Sequence, residues 1–409
     1  MPSTKIDKLN ENLDLQSFKL HSLLEVTNAI NENSSVDRLV KLFEHILRDQ
    51  LGIEKLLLYD KREEWERLLK VGVEAGEIDV EKELLKFRTI THIESSADPA
   101  LSEFDVVIPV FHKDLPLAYV LLGGLEREDV ASEQENEHLS FIRTLTNIIA
   151  VAIENKRLAK ENIRQERLKK ELELASEMQR HLFPQSLPSN GRLDMAGHYQ
   201  PHHQVGGDYY DVIRTRDEEF VFCMADVSGK GISAALLMSN FQASLRALVH
   251  YTDQSLERMV RDLNEKVMRN SEGEKFITFF IGRVHLGKKR LEYINAGHNP
   301  PIMMGKELEP LYLEKGCPGL GMLPELPWVE KGELQMDPDQ TVLCYTDGVV
   351  ELGSEGTETY GYERLVELLK KNQGEGMEAL TRSIIEDLDR FRKGAPFSDD
   401  IALFAFQTA

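Results

Sequence analysis

Four aspartates stand where a β-forming run meets a turn: Asp208 in "VGGDYYD", Asp226 in "MADVSGKG", Asp347 in "CYTDGVVE" and Asp399 in "FSDDIALF". One Asp before Gly or Ser is an ordinary turn former. Four, each adjoining an apolar strand, can converge at one end of a shared core. There, uncompensated carboxylates would repel and raise one another's pKa unless cations neutralised them. A donor set made only of oxygen suits hard Mg²⁺ or Mn²⁺ rather than zinc.

Other reactive residue types point away from competing chemistry. "SGKGIS" has the glycines, lysine and following helix of a phosphate cradle. The nucleotide-binding loop needs Ser or Thr directly after the Lys, and here Gly231 follows Lys230. Lys230 is therefore either a substrate-phosphate contact or a solvated turn lysine. His298 in "AGHNPP" reads as a turn-stabilising histidine. The three cysteines, Cys223, Cys317 and Cys344, have neither metal-ligand spacing nor the surroundings of a thiol phosphatase nucleophile. Cys223 and Cys344 lie within strands and read as small buried apolar residues.

The elements that must position the aspartates are legible as patterns. "EEFVFCMAD", "KFITFFIGRVH", "RLEYINAGH", "QTVLCYTDG" and "DIALFAF" are β-branched or aromatic runs closed by turn residues. Two helices have a face to bury: Ala234, Leu237, Met238, Phe241, Leu245 and Leu248 in one, and Met377, Leu380, Ile384, Leu388 and Phe391 in the other. Strands and helices without regular alternation predict a layered α+β arrangement rather than a doubly wound sheet. Upstream, "NKRLAKENIRQERLKKELELASEMQRHLFP" is charged and free of Gly and Pro until its end. Leu168, Leu172, Ala175, Gln179 and Leu182 follow one seam of that helix, the spacing of a two-stranded coiled coil. "FPQSLP" stops it, and a new domain begins near Gly191.

The N-terminal third starts with a helix carrying Leu9, Leu13, Leu20 and Leu24. A helical stretch from Asp37, a strand at "KLLLYD", a hairpin whose apolar arms flank "HKD", and a closing helix "HLSFIRTLTNIIAVAIENKRL" follow. This order resembles a GAF domain, the small α/β sensor module that often precedes bacterial signalling enzymes. The N-terminal half has no cysteine, so covalent tetrapyrrole attachment is excluded. His45, His92, His112 and His138 read as surface or hydrogen-bonded histidines.

As an ordered set, "VGGDYYD", "ADVSGKGISAALLMS", "INAGHNPP", "YTDGVVE" and "FSDDIAL" resemble the metal-dependent protein phosphatases of type 2C, specifically the bacterial sporulation stage II E (SpoIIE) branch. The resemblance runs from about Leu174 to Phe406. It implies a β-sandwich flanked by helices, with two divalent metals, Mn²⁺ or Mg²⁺, at one end. Carried over by motif, Asp226 bridges the metals and the Val227 carbonyl binds one of them. Asp347 and Asp399 serve the other, and Asp208 lies on the Val227 side, directly or through a water. Asp400 and Asp211 are expected to stand behind the ligands as structural groups. Such a centre makes hydroxide available from water near neutral pH and screens the phosphoryl oxygens, so no protein nucleophile is needed. Eukaryotic relatives hold the phosphate with an arginine, but here "AGHYQPHHQVGGD" offers only His198, His202 and His203, leaving the phosphate-recognition group unassigned.

The expected organisation is an N-terminal helix (1–34), a GAF-like sensor (35–154), a coiled-coil linker helix (155–184) and a SpoIIE-type phosphatase domain (185–409). The expected function is a signal-regulated phosphatase acting on phosphoserine or phosphothreonine of a regulatory protein. The branch points to an anti-sigma-factor antagonist as substrate. The alternative is a catalytically silent binding module of the same fold, whose signature would be loss of a ligand aspartate; all four are present. The linker predicts a homodimer. A net charge of −21 over 409 residues argues against a nucleic-acid partner. The absence of a signal-peptide core and of an uninterrupted run of about eighteen apolar residues predicts no membrane segment and a cytoplasmic location.

Overall fold

The computed structural model describes residues 3–74, 76, 78–93, 101–125, 133–216, 218–305, 309–353 and 359–408. The chain divides into two units, residues 1–166 and 167–409. That division falls inside the stretch read as a linker.

The first unit runs α1 (Ser3–Asn31), α2 (Val36–Glu44), a wider π-helical turn (His45–Gln50), β1 (Lys55–Lys61), β2 (Trp65–Val71), α3 (Val80–Glu83), β3 (Thr91–His92), β4 (Val106–His112), β5 (Leu115–Gly123) and the start of α4 (Glu133–Arg180). Its five strands form an antiparallel sheet in the order β2-β1-β5-β4-β3. Alternation along β1 sends Leu56 and Leu58 to the helical side, with Phe43, Leu47 and Leu145. Leu57 and Tyr59 go to the other side, with Ile78, Leu84 and Phe104. The expected hairpin is β4–β5, turning at Lys113 with φ 55°. In α1 Leu13, Leu20 and Leu24 are exposed and Val26 and Ala29 are buried; the side chain of Leu9 lies outside the described residues. His45 pairs with Asp49, and His92 and His112 are exposed.

The closing helix and the linker are one element, since nothing between Glu133 and Arg180 breaks a helix. Within the second unit Leu168 and Ala175 are exposed, whereas Gln179 is buried and Leu182 packs on the core. The predicted seam is thus split between two surroundings.

After α4 come β6 (Ser189–Asn190), β7 (Leu193–Gln200), β8 (Tyr209–Arg216), β9 (Glu219–Val227), α5 (Ile232–Tyr251), α6 (Leu256–Ser271), β10 (Ile277–His285) and β11 (Arg290–Ala296). Next are β12 (Ile302–Met304), β13 (Leu311–Tyr312), β14 (Gly316–Cys317), β15 (Gly332–Gln335), β16 (Thr341–Tyr345), α7 (Asp347–Val350), α8 (Gly361–Lys371), α9 (Met377–Arg392) and β17 (Ile401–Thr408). One sheet has the order β14-β11-β10-β9-β8, with β15 also on β11; the other is β13-β12-β16-β17-β7-β6.

The inner faces meet through aromatic rings, Phe222 against Phe406 at 4.8 Å between centroids and Tyr210 stacked on Phe404 at 5.9 Å. Strand alternation makes both outer faces apolar too. Phe279 points outward to Phe241 of α5, at 4.9 Å. Leu403 and Ala405 point outward to Leu365, Ile384 and Leu388 of α8 and α9. The result is helices, sheet, sheet, helices, the layered α+β arrangement expected. By length and composition α5 could cross a bilayer. In this fold, however, its Ala234, Met238, Phe241 and Leu245 are core residues.

Candidate metal centre

Strand pairing gathers the acidic residues at one end of the sandwich. Tyr209 of β8 pairs with Ala225 of β9, so Asp208, just before β8, lies beside Asp226 near the end of β9. Tyr345 of β16 pairs with Leu403 of β17. Asp347 opens α7 one residue past Thr346, and Asp399 and Asp400 immediately precede β17. Thr346 extends this ladder, its amide donating to the Ala402 carbonyl (3.2 Å) and its hydroxyl accepting from the Ala402 amide (3.0 Å).

Two glycines let the backbones close up. A Cβ at Gly348 would fall 2.1 Å from the Asp400 carbonyl oxygen and 3.2 Å from Asp399 Cβ, so "TDG" is pressed against "SDD". A Cβ at Gly207 would fall 3.0 Å from the Val227 carbonyl oxygen, which puts that carbonyl on the Asp208 side.

The carboxylates respond to this crowding. Burial, then Asp347, pushes Asp226 up to about 7. Burial, then Asp226 and Asp400, pushes Asp208 well above the usual carboxylate range. Burial, then Asp399, also raises Asp347. Asp208 is 2% exposed and its Oδ2 has no hydrogen-bond partner. A buried acceptor without a donor is costly, and a hard cation would satisfy it. Asp208, Asp226, Asp347, Asp399 and the Val227 carbonyl offer oxygen alone, which fits Mg²⁺ or Mn²⁺. The ligand cage is not closed: among the described residues no three acidic, histidine or cysteine side chains already stand in a ligating cluster. Asp399 is instead turned to Lys230, whose Nζ lies 2.8 Å from its Oδ2 and donates to the Ser398 carbonyl (2.7 Å). Lys230 sits between Gly229 (φ 85°) and Gly231 (φ 75°) and is half exposed.

The acidic residues expected behind the ligands have other partners. Asp400 accepts from the backbone amides of His202 (2.7 Å), Gly207 (2.7 Å) and Asp208 (3.4 Å), binding the loop ahead of β8 to the start of β17. Fully buried Asp211 accepts from Tyr209 and from both Nε (2.7 Å) and an Nη (3.0 Å) of Arg246, tying β8 to α5. His298 is held in its turn by Asn295, which accepts from its amide (2.7 Å) and donates to its carbonyl (3.0 Å). Burial lowers its pKa to about 4, and its Nδ1 is 2.9 Å from the hydroxyl of Thr278, the strand partner of Asp226. His202 and His203 lie in the loop before Asp208, their rings 4.3 Å apart. A contributor the motifs did not mark is Gln179, whose amide hydrogen-bonds Gly206 in both directions.

Two helix-flanked sheets with acidic strand ends gathered at one edge define a fold of the PP2C phosphatase type. Residues 216–409 match the family model for stage II sporulation protein E (SpoIIE), so the C-terminal unit carries a SpoIIE-type domain. The matched stretch includes Asp226, Val227, Asp347 and Asp399 and starts after Asp208. The SiaA-PP2C domain of Pseudomonas aeruginosa superposes with a TM-score of 0.53 at 19% identity, covering 60% of this chain and 99% of that one. Protein IcfG of Synechocystis sp. is 28% identical over 58% of this chain and 41% of its own length. Phosphoserine phosphatase RsbU of Bacillus subtilis is 27% identical over 55% of this chain and 66% of its own length. The match therefore spans between 41% and 66% of these two curated relatives.

Proposed function

We propose that this chain is a signal-regulated, divalent-metal-dependent phosphatase acting on phosphoserine or phosphothreonine of a regulatory protein. The observation that carries this reading is the meeting of Asp208, Asp226, Asp347 and Asp399 at one end of a PP2C-type sandwich, where three of them have raised pKa values. In this reading Asp226 would contribute to holding both cations, Asp208 and the Val227 carbonyl would help to hold one, and Asp347 and Asp399 the other. Bound Mn²⁺ or Mg²⁺ supplies hydroxide from water near neutral pH and screens the phosphoryl oxygens. The chain's own part is to hold five oxygen donors on rigid strand ends and to keep a cation, Lys230, beside Asp399 for the substrate phosphate. No side-chain nucleophile is needed, and the free cysteines are buried.

RsbU, named a phosphoserine phosphatase, supports a phosphoprotein substrate. An anti-sigma-factor antagonist is the class proposed. The N-terminal unit is read as a GAF-like sensor, α4 as a dimeric coiled-coil transmitter, and the cytoplasm as the location.

The test is hydrolysis of an aryl phosphate in Mn²⁺ by wild type and Asp226→Ala. Wild-type turnover that falls at least about 10²-fold in the variant is expected. Silence of both proteins, with and without the N-terminal unit, would favour the catalytically inert binding module instead. A strain carrying Asp347→Asn, compared by phosphoproteomics, should accumulate the phosphorylated partner.

A further inference from the structure

We propose that Gln179, one residue before the end of α4, is a positioning residue that fixes Asp208 by locking the backbone of Gly206. The inference rests on the metal-centre reading above and adds the route by which a helix outside the sandwich reaches it.

Gln179 is 6% exposed. Its Nε2 donates to the Gly206 carbonyl (2.7 Å), and the Gly206 amide donates to its Oε1 (3.1 Å). A side-chain amide supplies both halves of such a pair, which an ionised carboxylate or an apolar side chain does not. The loop from residue 201 to 208 has no strand ladder of its own. It is held on its other side by Asp400, through the amides of His202, Gly207 and Asp208. There is no slack between the two anchors, because a Cβ at Gly206 would fall 2.1 Å from Asp400 Oδ2 and 2.4 Å from the Tyr199 hydroxyl. The turn after α4 is seated as well: Phe183 stacks on Tyr199 at 4.2 Å and meets Tyr209 and Tyr210 at 5.7 and 5.4 Å.

Asp226, Asp347 and Asp399 hang from β9, β16 and β17, which Gln179 does not touch through either of these bonds. A shift or rotation of the last turn of α4 therefore acts first on the loop that carries Asp208. Without the amide pair, the loop keeps only its Asp400 side and the orphaned Asp208 oxygen is no longer aimed.

The test is Mn²⁺ binding to the full chain by isothermal titration calorimetry without substrate, with hydrogen exchange read over residues 202–208. Gln179→Leu should weaken Mn²⁺ binding about 10-fold or more and speed exchange at Gly206 and Gly207. Gln179→Glu keeps the acceptor, loses the donor and should fall between; it also serves if the leucine variant folds poorly. Met178→Ala, at an exposed neighbour, should match wild type. In an Asp208→Asn background Gln179→Leu should have little further effect, because both act on one ligand. Lowered thermal stability with unchanged Mn²⁺ affinity, or full additivity with Asp208→Asn, would overturn the inference and leave Gln179 a packing residue. Failure of wild type to take up Mn²⁺ would instead overturn the metal-centre reading and this inference with it.

Discussion

Asp226 holds its proton to about pH 7 because burial and Asp347 oppose its charge. In the unfolded chain an aspartate loses that proton near pH 3.9. Between these values the metal-free fold binds more protons than the unfolded state, so the stability contribution is complete below about pH 4 and is lost as pH rises through 7. Asp208 and Asp347, shifted in the same direction, add to the slope. Scanning calorimetry of the metal-free protein should therefore show the melting temperature falling from pH 5 to pH 7.5. Asp226→Asn should flatten that fall, and Mn²⁺ at pH 7.5 should reverse it in wild type only. A melting temperature that climbs with pH across this range would contradict the crowded site. At this scale the sequence was informative: the aspartates, Val227 and the glycines beside them all fall at the acidic end. It did not reveal that Asp399 is paired with Lys230, a contact across 169 positions of chain.

The elements present those residues because each strand has two apolar faces. Phe279 and Phe280, adjacent on β10, pack in opposite directions, outward on Phe241 and inward on Phe222. That pattern was visible as unbroken apolar runs, which is why β9, β10, β11, β16 and β17 were all legible. β7 and β8 were not, because Gly197 and His198 in one and Asp211 in the other interrupt the run with residues that only tertiary partners explain. Asp211 is the sharper case. Removing its cation with Arg246→Met should leave a fully buried carboxylate, costing about 2–4 kcal/mol in urea unfolding, reduced by the partial exposure of Arg246. Asp211→Asn combined with Arg246→Met should recover part of that loss, since a buried neutral amide costs less than an unpaired charge. An unchanged unfolding midpoint for Arg246→Met would show that the strut between β8 and α5 is not structural.

For the whole molecule, α4 is the element that both units share, a helix of 48 residues whose part up to Glu166 belongs to the first unit and the rest to the second. Its second-unit part leaves Leu168 and Ala175 of the predicted seam exposed, the surface a second copy would cover in the coiled-coil reading. Deleting residues 1–160 should leave a folded domain that still takes up Mn²⁺. It should also change basal phosphatase activity and shift the sedimenting species from dimer toward monomer. Unchanged activity together with an unchanged oligomeric state would remove the sensor-and-transmitter reading while leaving the phosphatase reading intact.

The sequence by itself determined which oxygen-bearing side chains stand beside apolar runs and that the unbroken runs become strands, because side-chain chemistry and the two-residue strand period are local properties. It also marked where α4 stops, since proline acts on its own neighbourhood. Only the tertiary structure decided that Asp400 gathers the loop before β8, that Asp211 answers Arg246, and that Gln179 leaves its heptad seam to hold Gly206. The physical reason is distance along the chain. The Gly207 amide and the Asp400 carboxylate lie 193 positions apart, and a hydrogen bond that long-range depends on the packing of two whole sheets rather than on any pattern near either partner.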